Sequence, residues 1–444
     1  MRNNKIGDMT VGRISPQLIR FAIPMILGNF FQLTYNAADS IIVGRFVGTN
    51  ALAAVGAASP IMNIVIFIIV GICLGMSVLM SEFFGAADIP KLKREISTSL
   101  IAGGVFTIAI VVSGIFLSGP ILRLMNTPEV IMNDATRYLQ IIFFGLIFTF
   151  AYNIYASTLR SMGNSKIPLY FLITSALLNI LMDLLFVVVL GMGTKGAAIA
   201  TVVAEAVSAF LCLFYVWLKI PVLHFRRTDF VFDRSLLRDT VNYSSVAAMQ
   251  QICLYVGKLL VQGVVNPLGV HAIAAFNAVN RVDDFVFLPE QSIANSATTF
   301  IAQNRGAEKY KRIRKGFMAG LKIELIYSLI LMFTIFVSAR WLTVVFIGKE
   351  AEGVVQSGVY YLHAMAFFYF LPALTNIIQG YFRGMGRLKV TLNSTFIQIV
   401  GRVLAAFLLA PRFGLFGVAL ACLAGWLVML AYELPVFFKA WRNR

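Results

Sequence analysis

This sequence is short of charge. Only 13% of its 444 residues are Asp, Glu, Lys or Arg, about half the share of an average soluble domain. So little charge cannot cover a water-facing surface. With 59% hydrophobic residues and a mean hydropathy of +0.83, the chain reads as a polytopic membrane protein. Histidine is scarce as well. His224, His271 and His363 show no metal-ligand spacing, so no resident metal is expected. The four cysteines, Cys73, Cys212, Cys253 and Cys422, are far apart in apolar runs and read as small buried hydrophobes. Walker A, H-E-x-x-H and G-x-S-x-G sequences are absent. Their absence removes ATP-driven work by this chain alone and the common hydrolase chemistries. With neither a catalytic dyad nor a sizeable soluble domain, no enzyme is expected. One G-x-G-x-x-G match, Gly191 to Gly196, lies between two apolar runs and not after a strand, so no nucleotide is expected either. The first 15 residues are polar, and no cleavable signal peptide is visible.

What the chain does have is internal repetition at an offset of about 221 residues. Gly48-Thr-Asn-Ala-Leu-Ala-Ala-Val55 recurs as Gly269-Val-His-Ala-Ile-Ala-Ala-Phe276. Gly85-Ala-Ala-Asp88, followed by Lys91, Lys93 and Arg94, recurs as Gly306-Ala-Glu308, followed by Lys311, Arg312, Arg314 and Lys315. Arg160-Ser-Met-Gly163 recurs as Arg383-Gly-Met-Gly386, and Gly196-Ala-Ala-Ile-Ala200 as Gly417-Val-Ala-Leu-Ala421. Apolar runs of about 20 residues or more are candidate spanning helices. Twelve are predicted: 16–43, 51–83, 94–118, 130–158, 166–190, 196–218, 236–265, 271–302, 313–339, 354–382, 389–410 and 414–438. The fold class is therefore all-α integral membrane, with twelve transmembrane helices in two parallel-repeat six-helix bundles around a central cavity. Six spans per half give parallel repeats, a usual build of secondary transporters. The predicted division is an N-terminal lobe at 1–221, a cytoplasmic linker at 222–234 and a C-terminal lobe at 235–444.

The net charge of +17 is distributed as a membrane topology requires. Of 37 Lys and Arg, 25 lie in the tails and alternate loops, six in the intervening loops and six inside apolar runs. This positive-inside bias makes both termini cytoplasmic. No soluble basic domain is present to bind nucleic acid.

An ionisable residue in a spanning helix is costly, so it is a functional candidate by default. Asp39 stands near the outer end of helix 1 and Asp183 in the middle of helix 5. Asn179 shares the face of Asp183 at i, i+4, and Tyr35 and Asn36 share the face of Asp39. Thr201 on helix 6 offers a hydroxyl at a plausible depth. Such oxygens suit Na⁺, and a pair of apolar-buried acids suits H⁺. The coupling ion stays open between the two, and beyond a possible Na⁺ no metal and no cofactor is expected. The C-terminal half does not repeat the cluster. Its ionisable residues are Lys258, Arg281, Asp283, Asp284, Glu290, Glu324 and Arg402, with a structural ion pair expected among Lys258, Arg281, Asp283 and Asp284. Phe30, Phe31, Phe143, Phe144, Phe148, Tyr152, Tyr155 and Gln250 are candidate substrate contacts, and aromatics beside acids suit amphipathic cations. Pro24 permits a kink near the start of helix 1. The repeat places Ser245 opposite it, so the kink belongs to the first half alone.

These residues resemble the MATE (multidrug and toxic compound extrusion) family over essentially the whole chain. The carrying segments are Pro24, Asp39-Ser-Ile-Ile-Val-Gly-Arg45, the Gly48 to Val55 entry to helix 2, Arg160-Ser-Met-Gly163 and Asn179-x-x-x-Asp183. The resemblance implies two six-helix lobes that export organic compounds in exchange for H⁺ or Na⁺. It implies a cation site at Asp39, Asn179, Asp183 and Thr201, and bending of helix 1 at Pro24. Another branch of the family carries an acid in helix 7, where this chain has Met249-Gln-Gln-Ile252. The departure argues for coupling through the N-terminal lobe. The expected partners are a small organic substrate and the lipid bilayer, with no nucleic acid and no nucleotide. A monomer is expected, since one chain with two lobes can form a complete cavity. The expected location is the bacterial cytoplasmic (inner) membrane. The rival functions are a lipid-linked precursor flippase, which calls for more cavity cations than this chain offers, and a narrow-specificity metabolite exporter.

Overall fold

The computed structural model describes residues 7–220, 223, 231–347 and 352–442. Most of the linker at 222–234 lies outside the described residues, as do His224, Arg2, Lys5, Arg226, Arg227, Lys349 and Arg444. All regular elements among the described residues are helices. They are α1 (Ile14–Phe46), α2 (Thr49–Gly85), α3 (Ile89–Leu124), α4 (Glu129–Ser161), α5 (Lys166–Asp183), α6 (Gly193–Lys219), α7 (Arg234–Val265), α8 (Val270–Gly306), α9 (Tyr310–Ile347), α10 (Glu352–Phe368), α11 (Phe370–Gly384) and α12 (Leu388–Arg442). Among the described residues, nine helices are long and apolar enough to cross a membrane, and the pair α10 and α11, bent by 45°, makes one further crossing. Two more crossings are less plain. In α8 the apolar run is diluted by Arg281, Asp283, Asp284 and Glu290. The 55 residues of α12 are broken at Gly414, where φ is 58° and ψ is −136°. Gly414 is the repeat counterpart of Gly193 (φ 63°), the first residue of α6. The long helix therefore holds the fifth and sixth crossings of the second half, and twelve result.

The backbone repeats its punctuation along with its sequence. Gly48 and Gly269 open α2 and α8 at φ 115° and 94°. Ala87 and Glu308 close the same two helices at φ 59° and 56°, a region that L-residues seldom enter. Gly163 and Gly386 follow α4 and α11 at φ 79° and 72°.

The chain divides into two compact units. One comprises Pro24–Ala248 with the described part of Met1–Asp8, and the other comprises Met9–Ile23 with Met249–Arg444. These boundaries differ from the division at the linker. The start of α1 belongs to the second unit because α8 and α9 bind its backbone. Asn304 donates to the Met9 carbonyl at 3.1 Å, Arg312 to the Gly12 carbonyl at 2.8 Å, and the Ser296 hydroxyl to the Leu18 carbonyl at 3.0 Å. The start of α7 belongs to the first unit for the same kind of reason. The Thr240 hydroxyl donates to buried Glu95 of α3 at 2.9 Å, and the Ser244 hydroxyl to the Ile72 carbonyl at 3.1 Å. Gly75 of α2 lets the two backbones touch, since a Cβ there would lie 2.6 Å from the Ser244 Cα. Asp233 caps α7. Its Oδ1 accepts the Ser235 hydroxyl at 2.7 Å and the Ser235 and Leu236 amides at 2.9 and 3.3 Å. These bonds, the hydroxyl foremost, hold its carboxyl below the usual range.

In the first unit α4 is the central helix, packed on α2, α3 and α6. In the second unit α8 is central, packed on α9, α10 and α11. A helix enclosed by protein need not be apolar, and α8 places Glu290, Ser296, Gln303 and Asn304 at full burial.

Candidate cation-coupling site

The sequence marks Asp39 and Asp183 as the costly acids, and the first unit brings them together. Asp39 lies two turns before the end of α1, and Asp183 is the last residue of α5. The two carboxyls face one another within hydrogen-bonding reach. Asp183 is fully buried. Neither of its oxygens, nor Oδ1 of Asp39, accepts a hydrogen bond from a described residue. Two facing carboxylates repel, so this arrangement calls for a proton or a cation between them.

Asn179 stands one turn before Asp183, 2% exposed. Its Nδ2 donates to the Thr201 hydroxyl of α6 at 3.4 Å, and that hydroxyl donates to the Ala197 carbonyl at 3.1 Å. The Asn179 Oδ1 accepts nothing from the described residues, which adds a fourth free oxygen to the cluster. Asp183 ends α5 because the chain then widens into a π-helical turn at Leu184–Val189. Such turns are rare and frequent at functional sites.

Two side chains that the sequence did not single out complete the neighbourhood. Tyr138 of α4, 3% exposed, lies within electrostatic reach of both Asp39 and Asp183. Glu205 of α6 accepts a short hydrogen bond from the Thr149 hydroxyl of α4 and acts on Tyr35 and Tyr138. Glu205 lies four residues after Thr201, so the same i, i+4 argument that joined Asn179 to Asp183 could have found it. Tyr138 carries no such signal.

Tyr35 lies within reach of Asp39 and Glu205, as its position on α1 implied. Asn36 is exposed, its carbonyl accepts the Ser40 hydroxyl, and no described residue links it to the carboxylates. The proposed substrate contacts scatter. Phe30 is 47% exposed and meets Phe31 edge-to-face at 6.4 Å. Phe148 sits between Phe144 and Phe210 at 6.3 and 6.2 Å. The Tyr152 hydroxyl donates to the Pro168 carbonyl. Gln250 is held by its neighbours. It is 4% exposed, and its Nε2 donates to the Gln379 Oε1 and the Thr395 hydroxyl at 3.0 Å each. Its Oε1 accepts from Thr391 at 3.2 Å. Both N–H groups of the amide are thereby engaged, and the oxygen keeps one lone pair.

In the second unit the expected ion pair forms between Lys258 and Asp284 at 3.0 Å. Asp283 turns away from that pair. It accepts the Tyr369 hydroxyl at 2.5 Å and lies within reach of Arg402. Among the described residues no group of three or more His, Cys, Asp or Glu comes together to hold a metal ion.

A duplicated helical membrane bundle with buried, unpartnered carboxylates has the build of a membrane transporter. A family model described as MatE matches residues 24–185 and again 247–408. The chain is 31% identical over 389 residues to the probable multidrug resistance protein YpnP of Bacillus subtilis, covering 87% of this chain and 86% of that one. It is 22% identical to the probable multidrug resistance protein NorM of Thermotoga maritima, over 96% and 91% of the two chains. A third relative, 22% identical over 72% and 71%, is an FAD transporter of Shewanella oneidensis. In fold this chain is similar to a MATE crystal structure in complex with MaL6, with a TM-score of 0.93 over the whole of both chains at 21% identity. The chain belongs to the MATE family of multidrug efflux transporters. The matched segments begin at Pro24 and Ala247, close to where α1 and α7 pass from one compact unit into the other.

Proposed function

We propose that this protein is a secondary antiporter that exports organic, amphipathic or aromatic compounds in exchange for H⁺ or Na⁺. The observation that carries the proposal is the facing pair Asp39 and Asp183, with Asp183 fully buried and unpartnered. Charge on both acids is unfavourable inside a bundle, and one bound cation relieves it. Its arrival and departure give the molecule two states of different local packing. Tyr138 and the Asn179 and Thr201 pair stand where they respond to that change. The coupling step passes along α1, where Pro24 lacks the N–H for one backbone hydrogen bond and so permits the continuous helix to bend. Both termini face the cytoplasm of a bacterial cell and a single chain is the working unit, in keeping with the charge bias and the twofold repeat.

The cargo is organic in keeping with the multidrug names of the relatives. The relative named for FAD transport supports a second reading, a narrow-specificity metabolite exporter working by the same cycle.

The test is uptake of a fluorescent organic cation into proteoliposomes under an imposed H⁺ or Na⁺ gradient. Wild type should accumulate the dye under one gradient. Asp39→Asn and Asp183→Asn should fall to the level of protein-free vesicles. Uptake that survives both substitutions would falsify coupling at this pair.

A further inference from the structure

We infer that the second unit carries its own proton-binding site, formed by Glu290 of α8 and Glu324 of α9, separate from Asp39 and Asp183. Both side chains are fully buried. They lie at one depth. Glu290 is 16 residues before the Gly306 end of α8 and Glu324 is 14 residues after the Tyr310 start of α9, or about 24 and 21 Å along the helices. The packed helices α8 and α9 are held in register there, since the Tyr327 hydroxyl donates to the Val286 carbonyl at 3.0 Å. This brings Glu324, one turn before Tyr327, level with Glu290, one turn after Val286. Glu290 also acts electrostatically on Glu324. Glu290 Oε2 accepts from the Asn376 amide of α11 at 3.2 Å. Its Oε1 and both oxygens of Glu324 accept nothing from any described residue.

The groups facing the pair offer no compensating charge. Asp283 acts on Glu290 along α8, which adds a like charge. Tyr327 of α9 lies within reach of both glutamates but donates its hydroxyl to the Val286 carbonyl. From α10, α11 and α12 no Lys, Arg or His among the described residues acts on either glutamate. Arg402 of α12 acts on Asp283 instead, and Arg383 of α11 lies opposite Glu433. Two buried carboxylates without a cation partner are strongly unfavourable as charged groups. A proton on either carboxyl removes one of the two charges and turns one of the free oxygens into a donor. Na⁺ fits less well, because the described side chains supply few further oxygens.

The fold itself does not require this pair. At the repeat offset the counterparts of Glu290 and Glu324 are Ile69 and Gly103, while Asn376 corresponds to Asn153. The amide occurs in both halves, and the two acids occur only in the second. Ile69 is fully buried, and Gly103 packs under the Phe150 ring. The same place in the bundle is thus dry and apolar in one unit and doubly acidic in the other.

The site can be read without transport, so its failure and the failure of the antiport reading are separate outcomes. The measurement is an infrared titration of the purified full-length protein in lipid, following the carbonyl stretch of protonated carboxyl groups from about pH 5 to about pH 9. Wild type should lose absorption as pH rises. Glu324→Gln should lose one carboxyl's share of that change, and Asp39→Asn should keep that share intact. Glu290→Gln is the second variant and should alter the same component, which keeps the test open if Glu324→Gln does not fold. Titrations of both glutamine variants that match wild type overturn the inference. A component that is present in wild type but does not move with pH also overturns it, since a permanently neutral acid exchanges nothing. Loss of the band on adding NaCl at fixed pH, in wild type but not in Glu324→Gln, would assign the pair to Na⁺ and overturn the proton.

Discussion

Glu205 shows how a polar side chain joins a site that it does not form. It reaches the carboxylate cluster through Tyr35 and Tyr138 and is itself held by Thr149. A hydrogen bond to a buried charged group is worth about 1.5–3 kcal/mol. Thr149→Val should lower the unfolding temperature accordingly, and Thr149→Ser should restore it. Thermal unfolding in detergent followed by fluorescence measures both, and equal melting of the valine and serine variants would remove Glu205 from the network. At this scale the sequence showed Asp39, Asn179, Asp183 and Thr201, because charge in an apolar run and the i, i+4 spacing are visible without coordinates. Tyr138 was not legible, since a tyrosine in a membrane helix has many ordinary uses. The burial of Gln250 was hidden too, because its three partners come from α11 and α12, more than 120 residues away in the chain.

At the scale of elements, the helices were legible in number, and so was the break at Gly414 between the spans 389–410 and 414–438, but the bend between α10 and α11 and the π-helical turn after α5 were not. Proline and glycine gave the signals, but their effect depends on packing. Pro24 leaves α1 as one helix of 33 residues, yet it marks the point where the chain changes from one compact unit to the other. Proline lacks the N–H that would bond the Arg20 carbonyl, and an interior proline costs a helix about 3 kcal/mol. Pro24→Ala should therefore raise thermal stability and slow gradient-driven uptake, with dye binding unchanged. A variant that gains stability and transports at the wild-type rate would remove the hinge from the mechanism. The π-helical turn after Asp183 has no sequence signature that we can identify. The dilute polarity of α8 misleads in the opposite direction. Its charged residues Arg281, Asp283, Asp284 and Glu290 hide a spanning helix whose polarity is tolerated because α9, α10 and α11 wrap it.

For the whole molecule, the proposed topology of twelve crossings predicts that the two ends of the chain lie on the same side. The native cysteines give a quiet background for testing this, since Cys73, Cys212 and Cys422 are buried and Cys253 is only partly exposed. Ser15→Cys and Arg442→Cys should both react with a membrane-impermeant maleimide in inside-out vesicles and resist it in intact cells. Opposite reactivity of the two would break the even count. The twofold repeat was legible from glycines alone, and the backbone bears it out down to Ala87 and Glu308. Its unequal chemistry was only partly legible. The acids at 290 and 324 were plain in the sequence, but the register of α8 and α9 that brings them level was not.

The exchange of helix beginnings sets a timetable for biosynthesis. The first unit is covered along α2 and α3 by residues 234–248, through Gly75, Ser244, Thr240 and Glu95. A ribosome that has made only the first six helices has not yet made that cover. Residues 9–23 meanwhile wait through seven helices for the side chains of α8 and α9 that bind them. Neither half can close before synthesis has passed well into the other, so a chain cut at the linker yields two pieces that each lack a wall.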